Sequence, residues 1–88
     1  MASIVIDTWQ NPDGTTLSIT EMTYGPARRY GVREMTPDGR WFPIGGTVRT
    51  LEAAYRRCVA LADGDPEVVE MRRAGQVEHA YRYQQVAA

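Results

Sequence analysis

His79, Cys58, Ser3 and Ser18 are the side chains of this 88-residue chain best suited by type to act as a catalytic base or nucleophile. Acyl-transfer chemistry needs a buried, oriented base beside an exposed nucleophile. The only histidine falls in a helical pattern near the C-terminus and both serines fall in strand patterns, so His79 is read as a surface helix residue. Cys58 lies on an apolar helical stripe, where cysteine behaves as a small core hydrophobe, and no flanking motif marks it as a reactive thiol. As the single cysteine it excludes an internal disulfide and a thiolate metal cluster within one chain. The carboxylates occupy turn, cap and helix-surface positions without the spacing of a metal site. "DGDPE" at 63–67 resembles the start of a calcium loop but lacks the remaining ligands of the twelve-residue pattern, and "GGT" at 45–47 lacks the Lys-Ser/Thr of a phosphate loop. The sequence therefore leads us to expect no enzyme: no catalytic residue, no metal and no cofactor.

What remains is a set of residues suited to binding: Trp9, Arg28, Arg29, Arg33, Arg40 and Trp41. Tryptophan, tyrosine and arginine dominate interface hot spots, and two tryptophans are large for a core of this size. A face bearing one of them beside arginines suits a protein partner first and nucleic acid second. All ten basic residues are arginine, which favours flat, bidentate contacts to carboxylates and phosphates. The net charge of −1 and pI near 5.7 weigh against a dedicated nucleic-acid binder, whose affinity comes from neutralising phosphates. No apolar run approaches the roughly 20 residues of a membrane helix and the N-terminus lacks signal-peptide character, so the expected location is the cytoplasm, with no membrane partner. A homodimer is left open.

These residues must be positioned by strands and helices, and the hydrophobic period says where those lie. Alternation marks strands over about 3–9, 15–23, 29–36 and 40–44. In the first, Ile4 and Ile6 are expected on one face, with Val5, Asp7 and Trp9 on the other. "NPDG" at 11–14 and "TPDG" at 36–39 combine a preset proline φ, an aspartate and a glycine suited to positive φ, so both read as hairpin turns. "YGPARRYG" interrupts the pattern and sets Arg28 and Arg29 at a loop tip or strand entrance. Pro43 cannot donate to a ladder, which assigns the fourth strand to a sheet edge.

The period then changes from two to 3.6. Thr50 is an N-cap candidate for a helix over about 51–63, with Leu51, Ala54, Tyr55, Cys58, Leu61 and Ala62 on its apolar stripe. Within "DGDPE", Gly64 reads as the helix stop, Asp65 as the next N-cap and Pro66 as the first helical residue. A second helix is expected over about 66–83, with Val68, Met71, Ala74, Val77 and Tyr81 inward, a break or kink at Gly75, and "QQVAA" as a fraying tail. The expected fold is one α+β domain spanning 1–88: a four-stranded antiparallel meander, an amphipathic helix packed on it, and a second C-terminal helix.

The segment "YGVREMTPDGRWFPIGGTVRTLEAAYRRC" carries Gly31-Val32-Arg33 on one strand, Gly39-Arg40-Trp41 on the next, and Thr50-Leu51-Glu52-Ala53-Ala54 at a helix start. Over about residues 31–60 it resembles the plant ethylene-response-factor DNA-binding domain and the arm-binding domain of tyrosine integrases. The resemblance implies a sheet followed by a helix, with the sheet in the DNA major groove and Arg33, Arg40 and Trp41 at contact positions. Size, arginine skew and the missing active site point instead to a small bacterial or phage accessory protein. It would dock on another protein as a regulator or inhibitor, as inhibitors of host defence such as anti-CRISPR proteins do.

Overall fold

The computed structural model describes residues 2–87, with side chains through residue 81. Four strands, β1 (Ala2–Gln10), β2 (Thr16–Tyr24), β3 (Ala27–Met35) and β4 (Trp41–Pro43), precede two helices, α1 (Leu51–Ala62) and α2 (Pro66–Ala87). The sheet is an antiparallel meander in the order β1-β2-β3-β4, as the alternating pattern leads one to expect. Helices cover one face, where Ile19, Val32 and Phe42 meet Ile44, Ala54 and Val68 in the core. The other face carries no helix.

The two Pro-Asp-Gly stretches form the same loop twice. Asn11 N–H donates to Thr15 O at 2.8 Å and Gly14 N–H to Asn11 O at 3.0 Å; Thr36 and Gly39 repeat the pattern at 2.7 and 2.9 Å. Both glycines adopt φ of +89°, the left-handed step that closes a three-residue hairpin loop. A meander brings its first and third turns to the same end, and a Cβ on Gly14 would lie 3.3 Å from Pro37 Cγ. The carboxyls of Asp13 and Asp38 are both held below their ordinary 3.8, chiefly by the hydroxyls of Thr15 and Thr36. This support is complete above that ordinary value and is lost as pH falls through the lowered one. Acid titration should therefore loosen these two turns, and Asp13→Asn with Asp38→Asn should flatten the acid limb of stability. An unchanged acid limb in the double variant would contradict this.

The middle turn is tighter than the sequence suggests. Gly25, at φ +60°, and Pro26 alone reverse the chain, so Tyr24 pairs with Ala27. β3 thus begins two residues before Arg29, and Arg28 and Arg29 lie inside the strand.

A second correction concerns β1. Val5 pairs with Thr20 but Asp7 pairs with Ile19, leaving Ile6 as the extra residue of a β-bulge. A one-residue shift exchanges the faces of everything beyond it. Val5 therefore shares the helix-free face with Thr20, whereas Asp7 and Trp9 turn to the helix face, where Tyr55 of α1 meets both. Tyr55 donates its hydroxyl to Asp7 Oδ2 at 2.8 Å, and its ring meets Trp9 edge-on at 5.9 Å.

The helix boundaries follow their capping chemistry. Thr50 Oγ1 accepts from Ala53 N–H at 3.1 Å. At the other end of α1, Gly64 N–H reaches Leu61 O and Asp65 N–H reaches Ala60 O, the paired bonds of a Schellman stop. Asp65 Oδ1 then accepts from Glu67 N–H at 3.0 Å and caps α2. Arg57 of α1 donates to the carbonyls of Ile44 and Gly46, fixing the loop that leads out of β4.

α2 departs furthest from expectation. It runs unbroken through Gly75 to Ala87, since no glycine or proline follows to end it; only Ala88 of the expected tail lies outside the described residues. Its inward stripe is Val68, Met71, Arg72, Gly75 and His79, whereas Ala74, Val77 and Tyr81 are exposed. Glu34, 3% exposed on β3, takes Arg72 Nε and Nη2 on Oε1, both at 2.9 Å. Gly75 lets α2 close on β4: a Cβ there would stand 2.5 Å from Pro43 O. His79 is buried rather than on the surface, because its ring packs on Phe42 with centroids 5.5 Å apart.

Candidate functional site

The register of the ladders sorts the six binding candidates by face. On the helix-free side stand Ser3 and Val5 of β1, Ser18, Thr20 and Met22 of β2, Arg29, Gly31 and Arg33 of β3, and Trp41 and Pro43 of β4. The alternating positions of all four strands on this face include no acidic residue, and their only charges are Arg29 and Arg33. A chain of net charge −1 thus keeps a cationic sheet face. Its acids are gathered on the helices, the turns and the opposite face.

Arg33 and Trp41 are brought together on this face. Arg33 Cζ stands 5.0 Å from the Trp41 ring centroid, within the range of a cation–π contact. Trp41 nevertheless remains 44% exposed. The contact turns the arginine toward β4, and its cross-strand neighbour on the other side, Ser18, is buried although no helix covers it. Arg33 Nε is buried too and has no hydrogen-bond acceptor among the described residues. An unmade buried hydrogen bond costs about 1–3 kcal/mol, a cost relieved only by a shift of the Arg33 side chain that brings its guanidinium to an acceptor.

Beside the pair lies an apolar concavity of about 450 Å³ lined by Ser3, Thr20, Met22, Gly31, Pro43 and Thr47, among others. Gly31 leaves its floor bare of a side chain, and Met22 Cε curls to within 3.0 Å of where a Cβ would stand. Arg29 donates from Nε to Thr47 Oγ1 and from Nη2 to Thr47 O, each at 3.2 Å, and so holds the lining residue Thr47 in place.

The other candidates are placed differently. Arg40 lies in the second Pro-Asp-Gly turn with Nε 2.8 Å from Asp38 Oδ2. Arg28 pairs with Thr23 on the helix side of the ladder, and Trp9 is engaged by Tyr55 on that same side. The sequence reading missed Met22, Gly31, Pro43 and Thr47, because small or flexible residues on alternate strands acquire meaning only from the register. The single available signal was the alternation of β2, which already separates Thr20 and Met22 from Ile19.

A second concavity, about 460 Å³, lies on the helix side among Asn11, Leu17, Glu34, Cys58 and Arg72. Burial pushes the Cys58 thiol up, which keeps it protonated and a poor nucleophile. Glu34 is committed to Arg72. No group of three or more His, Cys, Asp or Glu side chains suited to a metal occurs among the described residues, and no helix is long and apolar enough to cross a membrane.

No protein-family model, curated protein or solved structure matches the chain.

Proposed function

We propose that the chain is a non-catalytic docking protein, of bacterial or phage type, that uses its helix-free sheet face to bind an acidic and apolar surface of another protein. It acts there as a regulator or inhibitor. The observation that carries this reading is the Arg33–Trp41 pair beside the apolar concavity: an exposed aromatic and an arginine, with Arg29 on the same face. A carboxylate of the partner would complete Arg33, and an aliphatic or aromatic side chain would fill the space beside Met22 and Trp41.

DNA is the competing reading, supported by the same cationic face and by the resemblance over residues 31–60. Magnitude favours protein. DNA-binding proteins commonly make about 6–10 phosphate contacts. This face offers Arg29 and Arg33, with Arg40 nearby but paired with Asp38, and Arg29 is already engaged by Thr47.

Capture from host extract, quantified against variants, tests the proposal. Trp41→Ala should weaken recovery of a specific partner by about 2 kcal/mol or more, roughly 30-fold in affinity. Arg33→Ala should weaken it comparably. Arg28→Ala, which removes an equal charge from the other side, should leave it unchanged. Equal recovery by all three variants would sink the proposal. Duplex binding at low salt that Arg33→Ala abolishes, falling steeply as salt rises, would replace it with the DNA reading.

A further inference from the structure

The two edges of the sheet are treated differently by the chain. On the β4 side, Pro43 has no N–H to offer, Ile44 N–H donates to Val32 O at 2.8 Å, and Val48 exchanges bonds of 2.8 and 2.7 Å with Tyr30. α2 packs against β4 as well. The opposite edge is β1, nine residues long, with β2 as its one neighbour in the sheet. An uncovered edge strand presents a row of backbone donors and acceptors to any other strand, and proteins blunt such edges with charges, prolines or bulges.

On β1 the blunting is confined to its second half. The bulge lies between Val5 and Asp7, and Asp7 Oδ1 occupies the N–H of Thr8 at 2.9 Å. The first half, Ala2–Ile6, meets the bulge only at its last residue, Ile6. It contains no charge and no proline, all five residues are exposed, and Ile4 and Val5 keep 58% and 50% of their surface in solvent.

From this asymmetry we propose that β1 is a homodimer seam: Ala2–Ile6 of two copies pair antiparallel about a two-fold axis at Ile4, joining two sheets into one of eight strands. An uncharged, β-branched edge selects an uncharged, β-branched strand, and the chain itself supplies one. Pairing about Ile4 sets Ile4 against Ile4, Ser3 against Val5 and Ala2 against Ile6. Asp7 falls outside the paired stretch, so no carboxylates face each other across the seam. With at most nine residues a side, against about 20–30 in a standard interface, the dimer is weak and depends on concentration. It also makes the two helix-free faces continuous. Their Arg33 residues stand five strand spacings, about 24 Å, apart across the sheet and about 20 Å apart along it, because Arg33 is in register with Thr8 rather than with Ile4, so a partner with two docking sites is held bivalently. The seam does not depend on what the Arg33–Trp41 face binds.

Sedimentation velocity on the full chain, from about 5 µM to about 500 µM, tests the association. The mean mass should rise from 9.9 kDa toward twice that value. Ile4→Lys, which sets like charges opposite each other at the axis, should remain monomeric while keeping its circular dichroism, since residue 4 is exposed. The register is tested by cross-linking in a Cys58→Ser background. Directly opposed residues stand about 4.5–5.5 Å apart at Cα, within disulfide range, so Ile4→Cys should oxidise to dimer at least tenfold faster than Thr8→Cys. A monomer at every concentration would overturn the proposal and leave the edge to a different strand. Higher oligomers, or equal cross-linking at residues 4 and 8, would overturn it in favour of indiscriminate edge pairing.

Discussion

Arg72→Ala is expected to destabilise the protein by about 3 kcal/mol, among the largest effects of any single exposed-to-intermediate side chain in the chain. The cause is Glu34. Its carboxylate sits on the helix face of β3 at 3% exposure and receives both Arg72 nitrogens on Oε1. Removing the guanidinium leaves a buried carboxylate without its counter-charge, a change that costs about 3–5 kcal/mol in well-buried pairs. The lower end applies because about a third of the Arg72 side chain is exposed and water can enter part of the vacated space. At roughly 4–8 °C per kcal/mol for a domain of this size, the midpoint should fall by about 12–24 °C. Such a loss is a large part of the roughly 4–13 kcal/mol a chain of this length typically has.

The double variant Glu34→Leu with Arg72→Met separates pairing from packing. It removes both charges while keeping apolar bulk, and should come back to within about 1 kcal/mol of the parent. Urea unfolding of the parent and these two variants measures this directly. An Arg72→Ala midpoint close to that of the parent would mean that Glu34 is hydrated and that the pair does not anchor α2.

Gly75→Ala carries the second large effect, and its sign opposes what helix propensity alone suggests. Alanine in a helix interior is favoured over glycine by about 1 kcal/mol. Here the added Cβ would stand 2.5 Å from Pro43 O and 2.9 Å from Phe42 Cδ2. A ring can tilt, but a backbone carbonyl moves only if β4 moves with it. Forced overpacking typically costs about 1–3 kcal/mol; the upper end applies because the obstacle is backbone, and after the propensity gain of about 1 kcal/mol we expect a net loss of about 2 kcal/mol, accompanied by loosening of the Phe42–His79 contact. Ala74→Gly is the matched control: residue 74 is exposed, and this change should cost only the propensity difference. Gly75→Ala unfolding at higher urea than the parent would show that α2 stands off the sheet.

Much of the fold was legible because its signals are local. Alternation marked four strands, capping residues marked both helix starts, and "NPDG" and "TPDG" specified the same hairpin loop through a preset φ and a glycine at +89°. Pro43 identified its strand as an edge without reference to any other residue. The inward face of α2 was not legible, because that helix buries Gly75 and His79 and turns the half-buried Arg72 inward while exposing Val77 and Tyr81. A scan for apolar period assigns the reverse. Arg72 faces inward because Glu34 waits 38 positions away, and Gly75 because the Pro43 carbonyl needs the room.

The candidate site divides along the same line. Residue type singled out the tryptophans and arginines, and the chain's own alternation already set Ser18 and Thr20 apart from Leu17 and Ile19. Which tryptophan joins which arginine depended on pairing between strands. The bulge at Val5/Asp7 sends Trp9 to Tyr55 on the helix face, and the β3–β4 register leaves Trp41 beneath Arg33 on the other. Side-chain period and turn chemistry act within a few residues and can be read along the chain. A bulge, a close helix–strand approach or a buried ion pair exists only once distant segments share a neighbour, and those contacts set which face of this protein the helices leave uncovered.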